Sequence, residues 1–240
     1  MTKPNEVTHT RRRPYKLTDG AIVPSVTTVL GRFKESGALL HWAHAQGLAG
    51  LDYRATRDKA ATTGTLAHTM AESWFRGHPQ KLNLMVDADI RAKAYTSFHA
   101  FLTWARGQKM RPAVIDGVTQ VEIRMVSERY RYGGMMDAVQ MGDSDDLSLW
   151  DMKTSGGVYI DYLMQLAAYG ALWDETHPDR PITGGYHLVR FDKISTGFVH
   201  HYWSALECVN SDGEVISCLD QFLRLLDCYV AEKTLKKLLK

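Results

Sequence analysis

The segment Leu147-Ser148-Leu149-Trp150-Asp151-Met152-Lys153 decides how the rest of the chain is interpreted. Because side chains alternate along a strand, Asp151 and Lys153 face the same side, with Cα atoms about 6–7 Å apart. An acid and a lysine at the end of an apolar strand are costly unless they pair or take part in chemistry. Taken alone, this segment is explained equally well by a structural ion pair at a sheet edge and by an active site.

The preceding segment, Tyr132 to Val139, adds a second carboxylate. Asp137 lies in an otherwise apolar stretch, fourteen positions before Asp151 and on a strand joined to the next by a short turn. Two acids from adjacent strands can converge on one point, as a hard divalent cation with oxygen ligands requires. A nearby lysine can then lower the pKa of an attacking water or stabilise charge that builds on a phosphate. Asp137, Asp151 and Lys153 are therefore predicted to form the centre of a metal-dependent active site.

The hydrophobic periodicity outside these strands divides the chain at about Pro112. Four helices are expected before it, over about 25–30, around 39–42, and over about 57–75 and 87–106. After it we expect strands over 119–127, 130–141 and 147–154, a helix over 158–173, and strands over 185–191 and 197–205. A final amphipathic helix is expected to carry Val215, Leu219, Phe222, Leu226 and Tyr229. This order predicts an α/β protein with a central mixed sheet flanked by helices and a helical N-terminal portion.

Two pairs of polar residues fall at i, i+4 on predicted helices, where side chains lie one above the other. His68 and Glu72 form one pair, and Gln165 and Tyr169 form the other. Each pair also has a simpler explanation. A single helical histidine is more often exposed or structural than a ligand, and Gln165 with Tyr169 is consistent with a polar stripe beside an apolar core.

Composition and cysteine spacing exclude several classes of protein. The chain has 240 residues and a net charge of +2, so it fits one large domain and bulk charge does not indicate a nucleic-acid binder. Cys208, Cys218 and Cys228 show no CxxC spacing, which argues against zinc or iron–sulfur sites and fits a reducing compartment. The basic groups Arg11–Arg13 and Lys233–Lys240 could track phosphates or merely solubilise the termini.

The N-terminal segment is polar and has no apolar core, so it does not resemble a secretory signal. No run approaches the roughly 20 apolar residues that a membrane-spanning helix needs. We therefore expect a soluble protein, cytoplasmic or otherwise intracellular, that is not secreted and has no membrane partner.

Five short motifs occur in an order that resembles a known family. They are Ser25-Val26-Thr27-Thr28-Val29-Leu30, Gly64-Thr65-Leu66-Ala67-His68, Gly133-Gly134-Met135-Met136-Asp137, Asp151-Met152-Lys153-Thr154-Ser155 and Gln165-Leu166-Ala167-Ala168-Tyr169. Over about residues 24–232 the chain resembles the RecB-type branch of the PD-(D/E)xK nuclease superfamily. It is similar in particular to the mitochondrial genome maintenance exonuclease group and to small phage relatives. Met136 stands where the superfamily loosely keeps proline.

The resemblance implies a restriction-endonuclease-like core and a role for each motif residue. His68, Asp137, Asp151 and the carbonyl of Met152 would bind Mg2+ or Mn2+, and Lys153 would position and activate the attacking water. Gln165 and Tyr169 would orient the lysine or the DNA. Glu122 and Glu72 would support these ligands from behind, although Glu122 is equally consistent with a surface residue. No iron–sulfur cluster is expected, because no cysteine precedes Cys208.

The expected domain boundaries follow from the range of the resemblance and from the hydrophobic periodicity. Residues 1–23 are expected to be a basic N-terminal arm, and residues 24–240 a single nuclease domain. Within it, 24–110 would be mainly helical, 111–205 would form the sheet core with one helix, and 206–240 the C-terminal helix. The DNA backbone would be contacted by cations that flank the helix bearing His68, namely Arg32, Lys34, Arg54, Arg57 and Lys59.

The predicted activity is a metal-dependent DNA exonuclease that favours single-stranded ends. A second hypothesis is a phage recombination exonuclease that resects duplex ends with an annealing or single-strand-binding partner. A third is a non-catalytic nucleic-acid-binding module whose acids are structural, for which replacing Lys153 would have no effect. No glycine-rich phosphate loop of the Walker type is present, so nucleotide hydrolysis is not expected.

Overall fold

The computed structural model describes residues 13–34, 37–77, 86–142 and 144–239. Arg11, Arg12 and Lys240 of the two basic termini lie outside these ranges. In chain order the elements are β1 (Tyr15–Lys16), β2 (Ile22–Val23), α1 (Val26–Phe33), α2 (Gly37–Leu48), α3 (Tyr53–Arg76), α4 (Ala88–Gly107), β3 (Val114–Ile115), β4 (Val118–Thr119), β5 (Val121–Ser127), β6 (Tyr132–Met141), β7 (Leu147–Lys153), α5 (Ile160–Thr176), β8 (Ile182–Phe191), β9 (Phe198–Trp203), β10 (Glu207–Val209), β11 (Val215–Ser217) and α6 (Cys218–Leu235).

A five-stranded mixed sheet forms the centre of the fold, in the order β5-β6-β7-β8-β9. The pairs β5–β6, β6–β7 and β8–β9 are antiparallel, whereas β7 and β8 run parallel. A parallel pair needs a long crossover connection, and α5 provides it. The predicted α/β architecture is confirmed: a central mixed sheet is flanked by helices. The first three strands of this sheet form the predicted antiparallel meander.

Helices cover both faces of the sheet because its central strands bury side chains on both sides. Leu149 of β7 packs in one apolar cluster with Leu166 of α5 and Phe222 of α6, whereas its neighbour Trp150 packs in a second cluster with Trp104 of α4. Fully burying a large apolar side chain contributes roughly 1.5–3 kcal/mol, so these clusters hold the helices firmly against the strands. In the described ranges, no helix is both long and apolar enough to cross a bilayer.

Residues 13–23 of the predicted basic arm form a docked hairpin. Strands β1 and β2 pair antiparallel, and Tyr15 packs against β6 at Gly133, where any side chain would collide with the tyrosine ring. The Arg124 guanidinium lies 3.6 Å from the centre of the same ring. Gly133 N–H also donates to the Pro24 carbonyl at 2.9 Å. This part of the N-terminal segment is therefore packed against the sheet.

Val215 lies in β11, so its predicted place in the final helix is wrong. Asn210 Oδ1 accepts hydrogen bonds from the backbone N–H groups of Asp212 and Glu214, and Gly213 has a φ of +81°. Such side-chain-to-backbone bonds and a left-handed glycine favour a tight turn over a helix. The β10–β11 hairpin therefore takes up this segment, and α6 begins after it.

Candidate metal centre

Three carboxylates lie in a row across β5, β6 and β7. The last residue pair of the β6–β7 ladder is Ala138 with Trp150. At the next position of the same register, Asp137 of β6 faces Asp151 of β7. In the register of β5 and β6, Glu122 likewise falls opposite Asp137, at the position between Val121 and Ile123 where the pairing is interrupted. Like charges directly opposite one another destabilise a sheet. A row of three acids at this point therefore needs positive charge nearby.

His68 of α3 brings an imidazole to this row. Its Nδ1 lies 3.5 Å from Asp137 Oδ1. One ligand atom each from His68, Glu122 and Asp137 lie within 4.8 Å of one another, and all three residues are half-buried. Gly64, one turn earlier, lets α3 approach the end of β7, since a Cβ there would lie 3.0 Å from Thr154 Oγ1. A nitrogen and two carboxylates at this spacing suit a divalent cation.

Asp137 is also held by the backbone of the neighbouring strand. Its Oδ2 accepts a hydrogen bond from Met152 N–H at 2.6 Å, which replaces the ladder bonds that are absent at this point. Met152 itself is buried with 5% of its surface exposed. The carboxylate therefore has one oxygen directed toward His68 and the other bound to β7. The ligand role of the Met152 carbonyl stays a prediction.

Lys153 lies at the centre of a chain of polar contacts. Its Nζ is 2.5 Å from Asp151 Oδ2 in an ion pair and donates to Gln165 Oε1 at 3.1 Å. Gln165 Nε2 in turn donates to Tyr169 Oη at 2.8 Å. Asp151 Oδ2 is buried, and the Lys153 ammonium is the partner that the ion pair gives it. Gln165 and Tyr169, predicted to lie on one helix face, are thus hydrogen-bonded to each other, and Gln165 is hydrogen-bonded to Lys153.

The charges of His68 and Asp137 stabilise each other. Burial lowers the pKa of His68, but the carboxylates of Asp137 and Glu122 together more than offset this, so the pKa lies above its ordinary value of 6.5. Burial raises the pKa of Asp137, but His68, the Lys153 ammonium and the Met152 N–H together lower it by more, so the pKa lies below 3.8. Asp137 is therefore ionised at neutral pH.

Asp151 and Lys153 respond to burial in different ways. Burial raises the pKa of Asp151 to about 6; Lys153 opposes this shift, and the negative charge of Asp137 adds to it. Burial lowers the pKa of Lys153, but Asp151 and Asp137 outweigh it, so the pKa lies above 10.5. Lys153 is therefore an ammonium at neutral pH, whereas Asp151 titrates close to neutrality.

Glu122 lies among the candidate ligands themselves, whereas the sequence suggested a supporting place behind them. Its backbone φ is +50°, a left-handed conformation that is uncommon for a residue other than glycine. Glu72, the other expected supporting residue, lies outside the group of candidate ligands and forms an ion pair with Arg76. The two glutamates that were predicted to act alike thus occupy different positions.

The cations predicted to contact DNA are all exposed, and each has an intramolecular partner. Four of them pair with carboxylates, and Arg54 donates to the Tyr53 hydroxyl at 3.2 Å. The pairs are Arg32–Glu232 (2.7 Å), Lys34–Asp161 (3.1 Å), Arg57–Asp58 (2.8 Å) and Lys59–Asp87 (3.8 Å). Exposed ion pairs are weak because water and salt screen them, so a phosphate could displace the acidic partner. DNA contact by these residues stays a prediction.

Two residues near the site were not predicted from the sequence. The Lys153 ammonium lies 4.9 Å from the centre of the Tyr162 ring, a distance suited to a cation–π contact. Tyr162 precedes Gln165 by one helical turn, so the periodicity of α5 could have indicated it. Arg76 donates to the Val121 carbonyl at 2.8 Å. Nothing in the sequence pattern indicates this contact, because it joins elements 45 positions apart.

No family model and no curated protein sequence matches this chain. Among solved structures, it is similar to a proposed exonuclease from Eubacterium rectale, with a TM-score of 0.45 and 12% identity over 72% of this chain. The chain covers 66% of that protein, which is less than two thirds of its length. It is also similar to the protein SSO0001, with a TM-score of 0.32 and 15% identity over 72% of this chain and 74% of that one. At these values neither likeness carries information about the activity of this chain.

Proposed function

We propose that this chain is a divalent-metal-dependent nuclease that hydrolyses phosphodiester bonds, with a site of the PD-(D/E)xK type. The observation that supports this function is the row of Glu122, Asp137 and Asp151 across three strands, in contact with His68 and Lys153. Carboxylates that face one another without sufficient compensating charge destabilise a fold. A bound cation would offset the repulsion between these carboxylates and would give the arrangement a role in catalysis.

The residues present fit a divalent cation. His68, Glu122 and Asp137 already bring their ligand atoms together, and the buried Asp151 faces Asp137 in the register of β6 and β7. We infer that these side chains and the Met152 carbonyl would hold Mg2+ or Mn2+. When bound, the cation would polarise the scissile phosphate and lower the pKa of a water.

Lys153 acts in this proposal as a donor and a fixed positive charge. In the metal-free protein Asp151 and Asp137 hold its pKa above the ordinary value, so it carries a positive charge at neutral pH. Asp151 and Gln165 hold the ammonium from two sides. From there it would donate a hydrogen bond to the attacking water or stabilise the negative charge that builds on the phosphate oxygens. Gln165 and Tyr169 would keep the lysine oriented.

The proposed substrate is DNA with a single-stranded end, on the basis of the resemblance in motif order. The exposed cations would contact the phosphate backbone, namely Arg32, Lys34, Arg54, Arg57 and Lys59. The alternative is a recombination-type exonuclease that resects duplex ends together with an annealing or single-strand-binding protein. Both activities need the same metal centre, so they differ only in the strand that reaches it.

The test is cleavage of end-labelled single- and double-stranded DNA with Mg2+, with Mn2+ and with EDTA. The wild type should cleave only with metal, and Lys153→Met should be slower by about 100-fold or more. Lys93→Met is a matched control, because Lys93 also pairs with a carboxylate, Asp89 at 2.8 Å, but on the exposed face of α4. Resistance of circular single strands would identify an exonuclease. Cleavage in EDTA, or full activity of Lys153→Met, would contradict the proposed mechanism, and a non-catalytic binding module would cleave nothing.

A further inference from the structure

Helix α3 carries a second polar feature besides His68. Glu72 and Arg76 follow His68 at intervals of four residues, so all three lie along one side of the helix. Arg76 Nε donates to Glu72 Oε1 at 2.9 Å, and Arg76 Nη2 donates to the backbone carbonyl of Val121 at 2.8 Å. The guanidinium therefore connects the last turn of α3 to the first residue of β5, and Glu72 holds it in that orientation.

The carbonyl that Arg76 binds belongs to the residue directly before Glu122. Glu122 has a φ of +50° inside a strand, and it interrupts the ladder between Val121 and Ile123. A non-glycine residue in this conformation persists only when its surroundings hold it there. The Arg76 hydrogen bond fixes the peptide on the N-terminal side of Glu122, and Val121 is itself buried at 3% exposure. The direction of the Glu122 carboxylate depends on this backbone.

We propose that Arg76, held by Glu72, is a positioning residue that sets the direction of Glu122 and thereby the metal affinity of the candidate centre. Helix α3 then contributes one candidate ligand directly, through His68, and fixes the backbone of another through Arg76. This rests on the metal centre of the proposed function. If Arg76 merely tied α3 to β5, its loss would lower stability and leave the metal affinity unchanged.

The experiment measures Mn2+ binding to the full chain without DNA, by calorimetry and by the rise in melting temperature on adding Mn2+. Arg76→Met keeps an unbranched apolar stem and removes the guanidinium donors. It should weaken Mn2+ binding about tenfold or more, the usual effect of removing a residue that orients a ligand. Glu72→Gln should weaken binding in the same direction but less. Lys93→Met breaks an i, i+4 ion pair on α4 and should bind Mn2+ as the wild type does.

A double-mutant cycle with Glu122→Gln tests whether Arg76 acts through Glu122. If it does, adding Arg76→Met to Glu122→Gln should weaken Mn2+ binding less than twofold further, since coupled residues are not additive. A full tenfold further loss, or wild-type affinity in Arg76→Met, would overturn the inference. If Arg76→Met does not fold, the same cycle is run with Glu72→Gln, and a further loss in the Glu122→Gln background as large as that of Glu72→Gln alone would overturn the inference. A wild type that binds Mn2+ but cleaves no DNA would refute the proposed nuclease and leave this inference standing.

Discussion

At the scale of single residues, the candidate centre depends on how the negative charges of Asp137 and Asp151 are compensated at the end of the β6–β7 ladder. Asp137 has two partners, His68 and the Met152 N–H, and its pKa is lowered. Asp151 is more deeply buried, and the Lys153 ammonium offsets only part of the effect of burial and of the Asp137 charge, so its pKa is raised to about 6. Two aspartates that face each other in one register thus have different protonation behaviour, because their environments differ.

Mn2+ affinity is predicted to fall as the pH is lowered from 7.5 to 5.5. Below about pH 6 the metal-free protein holds a proton on Asp151, and a metal must displace it. His68, whose pKa is also raised, must lose a proton to bind metal and acts in the same direction. Each proton that must be displaced weakens binding up to about tenfold per pH unit below its pKa. Calorimetric titration with Mn2+ at both pH values measures this.

The control for this pH effect is Asp151→Asn, which has no proton to lose at that position. Its Mn2+ binding should be weaker at pH 7.5 and should depend less on pH than that of the wild type. Equal Mn2+ affinity of the wild type at pH 7.5 and 5.5 would show that neither Asp151 nor His68 binds the metal.

At the scale of elements, the site depends on how closely α5 packs on β6. Gly134 lies under this helix, and a Cβ there would come within 2.6 Å of Tyr169 Cε1 and 2.9 Å of Leu172 Cδ1. Tyr169 is the last member of the chain of contacts that begins at Lys153. The absence of a side chain at one strand position therefore sets the distance between α5 and the sheet, and with it the position of the lysine.

Gly134→Ala is predicted to lower both stability and cleavage rate. Both side chains that the new methyl group meets are buried, so relief requires α5 or the rings to shift, at a cost of about 1–3 kcal/mol. A shift of the Tyr169 ring would weaken its contact with Gln165, and a shift of α5 would move Gln165 away from Lys153, so the cleavage rate should fall while Mn2+ binding changes little. Denaturant unfolding and the end-label assay measure the two effects.

Gly31→Ala provides the opposite case on α1, where nothing lies within 4 Å of the added carbon. Alanine favours a helix over glycine by roughly 0.5–1 kcal/mol, so this variant should be slightly more stable and fully active. If Gly134→Ala behaved in the same way, the close packing of α5 would not be a constraint on the site.

At the scale of the whole molecule, one sheet supplies side chains to two apolar clusters on its opposite faces. Neighbouring residues of β7 belong to different clusters, as Leu149 and Trp150 do. Because the same strands contribute to both clusters, unfolding of the sheet would expose the apolar side chains of both. The sheet thereby joins α3, which carries His68, to α5, which carries Gln165.

We predict that the protein unfolds in a single cooperative transition, because both apolar clusters include side chains of the same sheet. Phe222→Ala in one cluster and Trp104→Ala in the other remove side chains that are 0% and 1% exposed. Each should lower the free energy of unfolding by roughly 3–5 kcal/mol and shift the same transition. Differential scanning calorimetry tests this, with equal calorimetric and van't Hoff enthalpies expected. Two transitions, each moved by only one of the variants, would show that the two faces fold separately.

The sequence alone indicated the order of the main helices and of the five central strands, and it suggested three residues of the candidate site; the short hairpins β1–β2, β3–β4 and β10–β11 were not predicted. Alternating apolar residues indicated the strands, and the helices appeared through their 3.6-residue period, because both patterns are local. Asp137, Asp151 and Lys153 were predicted as site residues because burying a charged side chain in an apolar strand costs free energy unless the charge is paired or binds a ligand. The turn at Asn210 was missed, since its competition with a helix depends on side-chain-to-backbone bonds that periodicity does not show.

Only the tertiary structure decided which residues meet. The registers of β5, β6 and β7 align Glu122 with Asp137 and Asp151, and Arg76 reaches the strand that carries Glu122 from 45 positions away. Register and side-chain reach are set by packing across the whole fold, so no local pattern specifies them. The charge states of the acids also depend on burial and on neighbours from other elements. The sequence therefore sufficed to name most of the candidate ligands, whereas their geometry and their protonation followed from the packed sheet.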